Sequence, residues 1–241
     1  MAIVARDIEN TLREDMPDML HSRGDYTSVV VGIDWGEHFH WVVVMGRRAN
    51  GLVDIMRVFN VKSSKSNTKD IEADIKSLIA QVDLYSPDLI LADIGFSGNY
   101  IAKLINAFGK HRTFGVQVNP AKSNGQVHPV WNENGNKVTI DKLTQNTIFI
   151  EAIKTKRVGL WSNKTAERNM FTEHWTNVVI RDVEDERTGE IQKEITRKGD
   201  DHWAQASVYA NVAMNHIIDN VTSRSNAFNY TDVSGQDNLG F

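Results

Sequence analysis

The fold turns on SVVVGIDW, Ser28 to Trp35, a β-branched run too short for a helix and closed by Gly36. A second apolar run, FHWVVVM from Phe39 to Met45, follows after a brief turn. The polar segment RRANG, Arg47 to Gly51, then supplies the Asn-Gly pair of a tight hairpin turn and leads into LVDIMRVFNV, Leu52 to Val61. These three runs predict an antiparallel meander. From Ser66 to Leu84 the period becomes helical, with Ile71, Ile75, Leu78, Ile79 and Val82 on one face and Thr68 as N-cap, and Pro87 stops the chain after it. LILAD, Leu89 to Asp93, predicts a short buried strand. Gly95 to Gly98 leads into a helix over Asn99 to Phe108, and FGVQV, Phe114 to Val118, predicts a fifth strand. The order β-β-β-α-β-α-β predicts an α/β domain with alternating helices and strands. If the first and fourth strands are neighbours, the sheet runs in the order 3-2-1-4-5.

Residues 1 to 25 are polar and acidic, with Ile8, Leu12 and Met16 at helical spacing and Pro17 interrupting them. They predict a short helix or arm outside the core. A loop rich in Asn and Gly from Lys122 to Gly135 precedes helices over Thr144 to Ile153 and Lys164 to Trp175, with Asp141-Lys142 at the start of the first. Val178 to Val183 and Glu190 to Thr196 alternate about Thr188-Gly189 and predict a protruding polar hairpin. Asp201 to Val221 is the longest amphipathic stretch, and the polar Ser223 to Phe241 segment predicts a flexible tail. The domain is expected over 26–222.

Composition narrows the chemistry. With 41% hydrophobic and 24% charged residues among 241, the chain has the balance of a globular domain with a continuous core. No run approaches the ~20 apolar residues of a membrane helix, and acids and arginines through the first twenty positions argue against a secretion signal there. The absence of cysteine leaves oxygen or imidazole to hold any metal. The net charge of −4 hides a segregation: Lys103 to Arg168 holds eleven Lys or Arg against four acids, whereas Asp182 to Asp201 holds eight acids against four bases. Metal-dependent phosphodiester chemistry calls for such a pairing of basic and acidic regions, although solvated faces of either sign are equally common.

Asp34 ends the first apolar strand and Asp93 the fourth, where a buried acid is costly unless it is paired or holds a metal. With those strands adjacent, the two carboxylates sit side by side. The plainer alternative is that each caps the turn after its strand. A third acid comes from Asp200-Asp201 at the start of the last helix, where one of the two suffices as a cap. Together the three acids give the all-oxygen set suited to two Mg²⁺ or Mn²⁺ ions astride a phosphate. His38 and His40 near the first turn read as exposed polar residues more readily than as ligands. Trp131, in the basic loop, could stack on an exposed base.

Gly32-Ile33-Asp34-Trp35-Gly36, then Leu91-Ala92-Asp93-Ile94-Gly95-Phe96-Ser97-Gly98, then Gly199-Asp200-Asp201-His202-Trp203-Ala204 with Tyr209-Ala210 resemble the nuclease domain of tailed-phage large terminase subunits. The resemblance covers roughly residues 27 to 222. It implies an RNase H-like fold related to Holliday-junction resolvases and a metal-dependent endonuclease that cuts concatemeric viral DNA in the host cytoplasm. By position, Asp34, Asp93 and Asp201 match the catalytic metal-binding acids, with Asp200 as the neighbour that competes for the third place. His202 and Gln205 occupy positions where the family often has further ligands, so His202 is either a ligand or a support for one. The polar hairpin resembles an element that overlies the cleft in this family. Lys122, Lys137, Lys142, Lys154 and Arg157 are the expected phosphate contacts. No G-x-x-x-x-G-K-[ST] loop is present in the sequence, so the ATPase motor of a terminase, together with the small subunit and portal, is expected as a partner. The competing functions are a resolvase selective for branched DNA and a noncatalytic RNase H-like module binding DNA or a portal.

Overall fold

Successive residues of a strand point to opposite faces of a sheet. In Ser28–Trp35 both faces are covered: Val29, Val31 and Ile33 enter one apolar cluster and Val30 enters another. The computed structural model describes residues 1–63, 71–95, 98–119, 128–184 and 187–231. The predicted cap Thr68 and the basic Lys122 lie outside them. In chain order the elements are α1 (Ala5–Glu9), β1 (Leu12–Arg13), β2 (Ser28–Trp35), β3 (Phe39–Arg47), β4 (Val53–Lys62), α2 (Ile71–Asp83), β5 (Leu89–Asp93), α3 (Gly98–Phe108), β6 (Thr113–Asn119), β7 (Val130–Asn132), β8 (Lys137–Asp141), α4 (Lys142–Lys154), β9 (Val158–Trp161), α5 (Ala166–Thr176), β10 (Val178–Glu184), β11 (Ile191–Arg197) and α6 (His202–Thr231).

Among the described residues the main sheet has nine strands in the order β1-β9-β4-β3-β2-β5-β6-β8-β7. Strands β2, β3 and β4 are antiparallel, while β5, β6 and β8 continue parallel to β2. The central run β4-β3-β2-β5-β6 is the meander followed by the fourth and fifth sequence-predicted strands, in an RNase H-like mixed sheet flanked by helices. Ile75, Leu78 and Val82 of α2 and Tyr100, Ile101 and Leu104 of α3 cover one face. The other is covered by α4, α5 and α6 through Phe149, Ile153, Phe171, Trp175, Ala206 and Ala210.

Gly32 sets how closely α6 approaches. A Cβ there would lie 1.9 Å from the Ala206 carbonyl oxygen and 2.6 Å from the Ala210 nitrogen, so the backbone of α6 rests directly on β2. This contact carries the start of α6 toward the end of β2.

Two expectations are corrected. Residues 1 to 25 are no detached arm: Ile3, Ile8 and Met16 are buried in the core, and β1 pairs parallel with β9. The sheet extends beyond the five strands read from the sequence through the short strands β7, β8 and β9. Finally, α6 continues through Thr231, so the first part of the expected tail from Ser223 is helical. The hairpin β10-β11 forms a separate two-stranded sheet, with buried Val178 and Ile180 at its base. Among the described residues no helix is long and apolar enough to cross a membrane.

Candidate active site

Parallel pairing of β2 with β5 places Ile33 opposite Ala92, so Asp34 and Asp93 follow as neighbours at the same edge of the sheet. The α6–β2 contact at Gly32 brings in the third acid from above. Asp201 is 4% exposed, and its carboxylate accepts from Arg197 Nε at 2.8 Å and from Gln205 Nε2 at 3.2 Å. Asp200 is exposed instead and faces an adjoining cavity. Of the two adjacent acids, Asp201 is the one turned toward the carboxylates.

His202 links helix to strand. Its Nδ1 lies 2.7 Å from Asp34 Oδ2, and its ring stacks on Trp41 at 5.3 Å between centroids. Burial pushes the Asp34 carboxyl up from its ordinary range; the His202 hydrogen bond works against that, while Asp93 and Asp201 both add to it by charge repulsion. The Asp34 contact in turn raises the His202 imidazole above its ordinary value, against the effect of burial. Asp93 is tied locally: its Oδ1 accepts from the Gly95 N–H at 3.1 Å, and its carbonyl accepts from Trp35 Nε1 at 2.8 Å. The turn-capping alternative for Asp93 is therefore realised, alongside its place beside Asp34. Of the two turn histidines, His38 is exposed as expected, but His40 is buried, edge-on to Trp35 and Tyr100.

The basic residues divide. Asp141 caps α4, accepting from the Thr144 N–H at 2.7 Å, so Lys142 begins that helix at the acidic edge of the sheet. Burial lowers the Lys142 ammonium pKa and Arg197 adds to the shift, with Asp201, Asp34 and Asp93 opposing it. Lys154, at the other end of α4, is carried about 20 Å away and pairs with Asp7. Lys137, at the start of β8, and Arg157, which precedes β9, also lie toward the opposite edge. Of the described sequence-predicted phosphate contacts, only Lys142 joins the acids. Trp131 is not a free platform, since it stacks on His216 at 3.9 Å and packs edge-on to Phe114.

Arg197 is the residue that sequence reasoning missed. It ends β11 and reaches Asp201 four positions on; the spacing was legible, but a strand end and a helix start give no periodic signal that they meet. Tyr209, quoted with the third motif, is buried; its hydroxyl pKa is pushed well up by burial first, and Asp34, Asp93 and Asp201 all add to the shift.

The donor set suits a hard divalent cation, being all oxygen and mutually repulsive at Asp34. In the present arrangement His202 and Arg197 provide the positive charge, and among the described residues no three Asp, Glu or His side chains stand as a ready ligand cage.

Solved terminases are among the structures similar to this chain. A large terminase from a thermophilic bacteriophage aligns with a TM-score of 0.47 at 14% identity over 86% of this chain. A human cytomegalovirus terminase nuclease domain, Mn soaked and inhibitor bound, aligns at 0.48 with 9% identity over 87% of this chain and 94% of its own. The yeast mitochondrial Holliday junction resolvase aligns at 0.35 with 12% identity over 86% of this chain and 85% of its own. The chain spans 45% of the thermophilic phage protein, less than half its length. No family profile and no curated protein matches the sequence.

Proposed function

We propose that the chain is a metal-dependent endodeoxyribonuclease of the terminase type, cutting double-stranded viral DNA during packaging. The observation that carries the reading is the placement of three acids from separate elements at one end of the sheet, Asp34 and Asp93 side by side through strand register and Asp201 through the packing of α6 on Gly32. The three sequence motifs that resemble the phage family are the segments holding those acids. Asp34, Asp93 and Asp201 would hold Mg²⁺ or Mn²⁺, which when bound supply Lewis-acid activation of water and stabilise charge on the leaving 3′ oxygen.

The chain's own residues have distinct tasks. His202 fixes the rotamer of Asp34 through Nδ1, and Gln205 orients Asp201 from one turn along α6. Lys142 approaches from α4 and attracts the phosphodiester to an edge otherwise dominated by carboxylates. Arg197 neutralises Asp201 from the base of the hairpin, supplying positive charge where a bound cation would add its own. An ATPase motor, a small terminase subunit and a capsid portal are the partners this reading calls for, in the cytoplasm of the infected cell.

The test is cleavage of plasmid and of a four-way DNA junction by the purified chain with Mg²⁺, Mn²⁺ or EDTA. Nicking and linearisation of plasmid in either metal, absent in EDTA, is expected. Cutting confined to the junction would replace this reading with a resolvase, and no cutting of either substrate would favour a noncatalytic module.

A further inference from the structure

Beside the acids, on the far side of His202, lies a cavity of about 740 Å³. The turn after β2, the C-terminal half of α5 and the segment from Lys198 to His202 enclose it. Two of the exposed large apolar side chains, Phe39 and Met170, 39% and 40% exposed, line it. Phe39 packs edge-on against Trp41 at 5.9 Å, leaving a planar apolar wall at the mouth. Deeper in, His174 is buried and its Nδ1 accepts the Trp203 N–H at 3.1 Å, which fixes the ring as the neutral tautomer with its proton on Nε2. Burial, with His202 nearby, also holds its pKa below the ordinary value. His174 therefore carries a single N–H, on Nε2, and the residue lines the cavity.

The charges decide what can enter. Among the described lining residues the carboxylates are Glu173 and Asp200, with Glu37 engaged in a further interaction, the lysine is Lys198, His38 is exposed, and His202 is already engaged by Asp34. A phosphate is repelled by such a rim, whereas a neutral planar group with ring acceptors and exocyclic amino donors finds an apolar wall, a donor and carboxylate acceptors. Asp200 adjoins Asp201 and Gly36 lies two residues beyond Asp34, so an occupant would sit one nucleotide's reach from the carboxylates. We propose that this cavity receives one unpaired nucleobase of the DNA lying across the acids, an inference that rests on the nuclease reading and names how it would select distorted DNA.

The experiment is fluorescence anisotropy in Ca²⁺, with a short fully paired duplex and the same duplex carrying one bulged nucleotide. Wild type is expected to prefer the bulged duplex by about fivefold or more, the lower end of base–aromatic stacking. Phe39→Ala removes the wall and Met170→Trp fills the space. Each is expected to bring the preference to about unity while paired-duplex affinity stays within about twofold. No preference in wild type, or a preference kept by both variants, overturns the proposal. Because a ratio of affinities is read without cutting, failure here in a chain that cleaves plasmid leaves the nuclease reading standing. Failure of plasmid cleavage alone strikes that reading instead.

Discussion

Two buried aspartates at opposite ends of the sheet have contrasting surroundings. Asp54, near the start of β4, is fully buried and closed in: Arg13 Nε donates to Oδ1 at 3.0 Å, Tyr26 OH donates to Oδ2 at 2.8 Å, and Arg48 also bonds Oδ2. Gly159 makes room for it, since a Cβ there would meet Arg13 and the Asp54 carboxylate. Asp34, at the end of β2, has a histidine as its partner and two acids raising the cost of its charge. The first arrangement compensates a buried charge with cations and a hydrogen bond, and it staples the N-terminal segment to the sheet. The second leaves its charge under-compensated, a cost to stability that the proposed cation-binding role would account for.

The contrast can be broken at either end. The largest expected effect is on stability at the closed end, where Asp54→Ala leaves Arg13 and Arg48 without their shared partner and costs about 3–5 kcal/mol in urea unfolding. Next, Asp34→Asn is expected to lower plasmid cleavage by about a hundredfold or more while the melting temperature holds or rises, because the substitution removes a charge the fold disfavours. A fall in melting temperature with cleavage intact would assign Asp34 to the structural class of Asp54. Gly32→Ala, which drives a methyl into the backbone of α6, is expected to cost about 1–3 kcal/mol and to reduce cleavage by displacing Asp201 and His202.

The smallest effect is on pH dependence. The folded-state pKa of His202 is raised above its ordinary 6.5, so its contribution to stability is full below that value and is lost as pH rises through the elevated one. Asp34 acts in the same sense over a lower range: its pKa is raised chiefly by burial, so its ionisation weakens the fold as pH climbs from below 3.8 through the elevated value. Melting curves of wild type and His202→Gln across this range are expected to converge as pH rises beyond the histidine transition, and a constant gap would contradict the pairing with Asp34.

The strands that carry Asp34 and Asp93 were legible because β-branched runs such as SVVVGIDW and LILAD are buried on both faces and bounded by turn residues. The hairpin was legible through its alternation about Thr188-Gly189. The role of the N-terminal segment was not, since its burial depends on Arg13 meeting Asp54, 41 positions away, and on β1 pairing with a strand near the other end of the chain. At the site, sequence alone could not choose between Asp200 and Asp201; the helix start turns one outward and the other toward the carboxylates. Charge counting likewise found the basic residues without locating them, because the direction of α4 separates Lys142 from Lys154.

The central claim is that Asp34 is held for chemistry and Asp54 for the fold, and the most direct test compares Asp34→Asn with Asp54→Asn. Each is assayed for supercoiled-plasmid cleavage in Mg²⁺ and Mn²⁺ and for thermal melting, with cleavage read at a temperature where both are folded. Asp34→Asn is expected to melt at or above wild type and not to cut, while Asp54→Asn melts lower and cuts. Cleavage at the wild-type rate by Asp34→Asn would contradict the claim.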